Sequence, residues 1–333
     1  MFTKALSWIH MAKSMGLSPL WNAVRYHAAL ESAQRRYRRP RPTGPFQTPG
    51  PIRQIEPGPN GVILRAERAA IELTALGDEI VRVRLSPSGE FAPLFSYAVV
   101  GGGDPPRVLH ISEQVQTVLL ETERLLCQVE RETCRLTLLT PHGHLLSDDA
   151  EGLAWRGSEV RWSRKLPSDE SCHGLGERAS GLNLRGRRLA LWNADPGPAY
   201  PRDADPLYTS IPFYLGVRGE LALGVLWDNP ARGMVDLGAS SAGTMTFSAE
   251  EGELCFYLLA GPTVPDVMRQ YAALVGQMPL PPLWALGFHQ SRWSYKTAAE
   301  FQRLASEFRT RRLPCDVLYF DIDYMDGFRV FTW

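Results

Sequence analysis

From Val62 to about Leu259 the sequence contains many short runs in which apolar and polar residues alternate, and almost no stretch with helical spacing. "GVILRAERAAIELTAL", "EIVRVRLSPSG", "RLLCQVERETCRLTLLTPHGHLL" and "ELALGVLWD" show this pattern, split by Gly, Pro, Asp and Asn. Side chains of a strand point alternately to its two faces, so each run buries one face. Many such strands without intervening helices close into an antiparallel sandwich or barrel. This constraint excludes an all-helical or a doubly wound fold for most of the chain.

The texture changes after "LAGPTVPDVMRQYAALVG". Pro265 and Asp266 mark a helix start, and Val267, Tyr271, Leu274 and Val275 give it an apolar face. "LWALGFH" then reads as a buried strand, "TAAEFQRLASEFRTRRL" as a helix and "CDVLYF" as a second strand. Thr297 with Glu300 three residues on is a capping box, and Phe301, Leu304, Ala305 and Phe308 share one face. Strand, helix and strand in this order predict two parallel strands joined by a crossover. Both strands then end at the same edge, so His289, Arg292, Trp293, Asp321 and Asp323 are expected to gather there. If the strand runs on through Asp321 and Asp323, their spacing of two puts them on one face. By pattern alone Arg292 could simply pair with one aspartate, and the aspartates could hold Mg²⁺, which favours carboxylates.

Lys+Arg and Asp+Glu each number 36, so nothing in the charge points to nucleic acid. The cysteines are five, an odd number, without CxxC or Cys/His metal spacing, which suits free thiols in a reducing compartment. Cys127 and Cys134 could face each other across a hairpin. No apolar run reaches the ~20 residues of a membrane span. "MFTKALSWIHMAKSMG" is interrupted by His10 and Lys13 and lacks a cleavage pattern. A cytoplasmic protein without membrane partners is expected. Residues 1 to about 40 read as a helical arm packed on the body, broken at "GLSP" and ending in the basic "RRYRRPRP"; a membrane-surface helix is the alternative.

Four segments in order, "HGLGERASGLNLRGRRLALWNADPGP", "DADPLYTSIPFYLGV", "PPLWALGFHQSRWSY" and "CDVLYFDIDYMDGFRVFTW", resemble glycoside hydrolase family 31, the α-glucosidase family. The resemblance runs from about Val62 to Trp333. It implies a galactose-mutarotase-like antiparallel β-sandwich followed by the first βα units of a (β/α)8 barrel. The expected organisation is a helical extension over 1–45, the sandwich over 46–261 and the barrel start over 262–333. A closed barrel takes roughly 250 residues, so the chain is expected to be the N-terminal part of such an enzyme, truncated inside the barrel.

The family chemistry is retaining hydrolysis of an α-glycosidic bond by two aspartates, without a metal or cofactor. Its nucleophile lies in a motif like W-I-D-M-N-E, which this sequence does not contain. Asp321, Asp323 and Asp326 are therefore not expected to be the catalytic pair. The resemblance does carry substrate binding. Asp321 matches a residue that binds hydroxyls of the sugar before the cleaved bond. Ile322 and Trp293 match walls of that subsite, and Asp195 a sandwich loop that reaches toward it. Carboxylates accept paired hydroxyl bonds, and an indole suits the apolar face of a pyranose. His289, Arg292, Asp323 and Asp326 either line the site or support it, and Tyr324 is expected to support it. His173 and Glu177 are expected to shape the sandwich loop. Ser294 departs from the glycine usual after "RW". The implied substrate is an α-linked glucoside or oligosaccharide. The alternative function is a non-catalytic carbohydrate-binding or interaction module; the four ordered motifs nearly exclude an unrelated α/β enzyme using Asp321 and Asp323 with a metal.

Overall fold

The computed structural model describes residues 17–37, 42–101, 105–196 and 200–333. Two compact units divide the chain, one ending at Gly276 and the other running from Gln277 to Trp333.

The first unit is the expected sandwich. One sheet has eight strands, in edge-to-edge order Ile52–Gly58, Gly61–Ala66, Ala70–Ala75, Ile80–Ser86, Leu254–Gly261, Leu221–Trp227, Phe213–Arg218 and Ser171–Gly174. The other has nine: Arg188–Leu191, Gly233–Leu237, Thr244–Ala249, Glu159–Lys165, Leu145–Arg156, Leu136–Leu139, Leu126–Glu130, Thr117–Thr122 and Leu109–Glu113. Neighbouring strands are antiparallel throughout, as the absence of crossover helices requires. Alternation decides which side chains enter the core: Val118 and Leu120 on one strand, Cys127 and Val129 on the next, are all buried.

At the centre four rings bridge the layers. Trp162 and Phe247 come from the nine-stranded sheet, Trp227 and Phe256 from the eight-stranded one. Trp162 stacks on Phe256 at 4.2 Å and Trp227 on Phe247 at 5.6 Å between centroids. Such pairs contribute roughly 0.5–1.5 kcal/mol each beyond their burial.

Helix α1 spans Leu17–Tyr37. It starts within the "GLSP" break; the expected first helical stretch and most of the basic run lie outside the described residues. The described side chains of α1 are exposed.

Helix α2 spans Val264–Val275, with Thr263 as N-cap and Pro265 in its first turn. Its Val267 and Leu274 are buried in a second core on the eight-stranded sheet with Leu226, Tyr257 and Leu259, and Tyr271 stacks on Phe213 at 4.1 Å. All five cysteines are free and buried; Cys127 and Cys134 form no disulfide, and burial pushes both thiols up to about 12.

Asp149 is the buried polar group with the clearest consequence. Its carboxylate accepts Trp162 Nε1 at 2.7 Å and the Leu136 amide at 2.9 Å, yet burial prevails and raises its pKa to about 7. The folded state therefore holds this proton over a range in which the unfolded chain has released it. That favours folding below the unfolded value of 3.8 and fades as pH rises to about 7. Asp149→Asn carries no such proton. The stability gap between wild type and this variant is expected to narrow by up to about 4 kcal/mol between pH 4 and 7. Denaturant titrations across that range check it, and a constant gap contradicts it.

In the second unit, His289–Gln290 and Val317–Leu318 pair in parallel, His289 opposite Val317, as the strand–helix–strand reading requires. Helix α3, Ala298–Thr310, lies between them in sequence. Its Thr297 cap accepts the Glu300 amide at 3.1 Å, while Glu300 accepts the Lys296 amide at 3.0 Å, a capping box displaced by one residue. Gly287 allows the first strand to approach Asp316, whose Oδ2 would lie 2.0 Å from a Cβ at that position and accepts the Phe288 amide instead.

Two expectations fail here. Leu283–Leu286 is a 3₁₀ turn and not a buried strand. An apolar run alone does not distinguish these states. The second strand stops at Leu318, and Asp321 has φ 64°, in the left-handed region that ends extended structure. Asp321 and Asp323 thus follow the strand in a loop and share no strand face.

Leu283, Phe331 and Trp333 are 86%, 96% and 88% exposed. Apolar surface this open drives association. A polypeptide of residues 1–333 is expected to self-associate with concentration, and one of residues 1–276 to stay monomeric. Sedimentation of both tests this, and a monomeric longer chain contradicts it.

Candidate functional site

Parallel pairing brings the two strand ends of the second unit to one edge. Ser291, which follows the first strand, and Tyr319, Phe320, Asp321 and Ile322, which follow the second, line an open depression of about 680 Å³ with Leu318, Tyr324 and Trp333. Of the residues expected from sequence, this brings together Asp321 and Ile322, both exposed, with Tyr324, which was expected to support the site and lines the depression. It adds Ser291, Tyr319 and Trp333, for which the sequence carried no separate signal beyond their place in the two quoted motifs.

The other expected residues of this unit do not line that depression. His289 is half-buried, and its Nδ1 meets Tyr319 Oη at 2.8 Å. Trp293 is 67% exposed. The Arg292 guanidinium lies over the Tyr295 ring at 5.5 Å and forms no ion pair with Asp321, Asp323 or Asp326 among the described residues. Asp326 is tied to Arg329, and its amide donates to Thr332 Oγ1 at 2.9 Å. Asp323 is half-buried in the turn after Asp321. No three His, Cys, Asp or Glu side chains converge as metal ligands among the described residues.

Asp195 belongs to the sandwich, in the loop after strand Arg188–Leu191. The loop is held down on both sides. Ala194 donates its amide to Leu207 at 2.9 Å, and Asn193 Oδ1 accepts the Ser210 amide at 2.6 Å. Below it, Asp205 accepts the Ala190 amide at 2.7 Å and pairs with buried Arg178, which also donates to the Leu175 and Ala190 carbonyls. Asp195 is exposed. The Tyr208 hydroxyl has its pKa raised by burial and then by its hydrogen bond to Asp195. His173 bonds the Leu182 carbonyl at 3.0 Å and Ser171 Oγ at 2.9 Å, so it shapes the neighbouring loop. Gly176, at φ 83°, stands where a Cβ would lie 2.3 Å from the Thr209 carbonyl, and the Glu177 amide bonds that same oxygen.

Residues 70–236 match the glycosyl hydrolase 31 N-terminal galactose mutarotase-like domain, and residues 278–333 the family's TIM-barrel domain. The chain belongs to glycoside hydrolase family 31. Alpha-glucosidase 2 of Bacillus thermoamyloliquefaciens is 36% identical over 259 residues, which is 77% of this chain and 32% of that protein. Neutral alpha-glucosidase AB of Homo sapiens is 35% identical over 192 residues, 50% of this chain and 20% of that one. A family 31 dextranase from Flavobacterium johnsoniae, solved in complex with isomaltotriose, superposes with a TM-score of 0.80 at 30% identity and covers 84% of this chain and 34% of its own. The chain thus spans about a third or less of the length of these relatives. The expected family and the sandwich-then-barrel class both hold.

Proposed function

We propose that these residues form the N-terminal part of a retaining α-glucosidase acting on α-linked glucosides or oligosaccharides. The sandwich occupies the residues up to about 261, helix α2 packs on it, and the barrel begins after it. What carries the proposal is the 36% identity to an α-glucosidase across 259 residues, beside the family's matches to both domain types. In it, Asp321 accepts hydrogen bonds from hydroxyls of the sugar before the cleaved bond. Ile322 and Trp293 wall that sugar, and Asp195 of the sandwich loop is a further substrate-binding residue. His289, Arg292, Asp323 and Asp326 support the loops that carry these groups. None of these residues is assigned as one of the two catalytic carboxyl groups of the double displacement. A cytoplasmic setting accords with five free thiols.

A chimera tests this: all 333 residues joined to the part of the Bacillus relative that follows the matched segment. It is expected to hydrolyse an aryl α-glucoside and leave the β-anomer intact. A folded chimera without turnover contradicts the proposal.

A further inference from the structure

We propose that Tyr319 is a further sugar-contacting residue of this site, and that His289 is the positioning residue that aims its hydroxyl. The inference rests on the assignment of Asp321 as a sugar ligand. Tyr319 lines the same depression as Asp321, and its backbone amide is fixed to the Gln290 carbonyl at 3.1 Å. Its Oη meets His289 Nδ1 at 2.8 Å.

Two arrangements of the proton in that bond exist. If the phenol donates to Nδ1, its hydrogen is consumed, and it has none to offer a sugar oxygen. The imidazole hydrogen then sits on Nε2. That atom is shielded from solvent and has no partner among the described residues. An N–H buried without an acceptor is rare in folded proteins. If Nδ1–H donates to Oη, no N–H is orphaned, and the phenol hydrogen stays available to a ligand. The second arrangement is the one that hydrogen-bond accounting favours.

It also completes the chemistry of recognition. A carboxylate only accepts, so it reads the hydrogens of sugar hydroxyls and leaves their oxygens unserved. Tyr319 O–H supplies a donor to one such oxygen. Its direction is set by His289, as a tyrosine accepting from a fixed N–H has its own hydrogen pointed elsewhere.

The first measurement uses the 333-residue chain with ¹⁵N-labelled histidine, with the Tyr319→Phe variant identifying the His289 signals. A bare Nε2 and a protonated Nδ1 are expected; a protonated Nε2 with a bare Nδ1 overturns the proposal. The second uses the chimera described above with an aryl α-glucoside and its four monodeoxy analogues. Tyr319→Phe is expected to lower kcat/KM roughly two- to tenfold for the parent, the loss of one neutral hydrogen bond. It should leave unchanged the one analogue that lacks the hydroxyl bound by Tyr319. His289→Asn, which can present an N–H near the Nδ1 position, should retain the discrimination, and His289→Leu should lose it. An equal loss over all analogues, or no loss, overturns the proposal. An Asp321→Asn variant with unchanged turnover would instead remove the assignment on which the inference rests.

Discussion

A polypeptide of these 333 residues is expected to hydrolyse an aryl α-glucoside no faster than buffer. Retaining glycosidases need two carboxyl groups about 5 Å apart, one to attack the anomeric carbon and one to protonate the leaving oxygen. The family's nucleophile motif does not occur in the sequence. The aspartates after the second strand do not replace it: Asp321 lies on an open edge, and Asp326 is held by Arg329. Glycosidases owe many orders of magnitude in rate to that pair. The assay must be run at high protein concentration with a full-length relative as reference. Turnover within a thousandfold of the reference would refute the assignment of roles.

The second large effect concerns the sandwich. Glu170→Ala is expected to destabilise it by about 3–5 kcal/mol, the usual result of removing one partner of a buried ion pair. Arg164 donates to both Glu170 oxygens, at 2.7 and 2.8 Å, and Tyr214 Oη donates to Oε1 at 2.6 Å. Arg164 and Tyr214 come from different sheets, so Glu170 ties the two layers together. Burial opposes its ionisation, but the Arg164 bonds prevail and hold its pKa below the usual carboxylate range. Without Glu170, a guanidinium with 1% of its side chain exposed is left uncompensated. With a domain stability of about 5–15 kcal/mol, that is a large fraction of the total. The double variant Arg164→Met, Glu170→Leu should recover most of the loss, because the charge and its partner leave together. Urea titrations of the three variants decide it; a loss under about 1 kcal/mol for Glu170→Ala would mean that the pair contributes nothing.

The parts of this fold that sequence revealed are those governed by local periodicity. Alternation in "RLLCQVE" placed Cys127 and Val129 inward, and Thr297 with Glu300 marked the start of α3. Sheet order was not legible, because a period of two tells which side chains face inward and not which strand lies alongside. Nothing local pairs Leu254–Gly261 with Ile80–Ser86 across the intervening chain. "SDDAEG" has the composition of a turn, yet Asp149 lies buried in a twelve-residue strand, where Trp162 and the Leu136 amide supply its partners. "LWALGF" was misread because a short apolar run fits a strand and a turn equally well. At the candidate site, motif order led to Asp321, Ile322, Trp293 and Asp195. It gave no means of seeing that Asp321 is left-handed or that Tyr319 meets His289, since both depend on where the second strand ends.

The most direct measurement is the specificity constant of Asp321→Asn in the chimera that carries the complete barrel. The substitution keeps the shape of the side chain and removes the charge behind its hydrogen bonds, which are worth roughly 1.5–3 kcal/mol each. A loss in kcat/KM of about tenfold or more on an aryl α-glucoside, in a variant that melts with the parent chimera, is the result expected if Asp321 holds the sugar. An unchanged kcat/KM would place Asp321 outside the site and contradict the central claim.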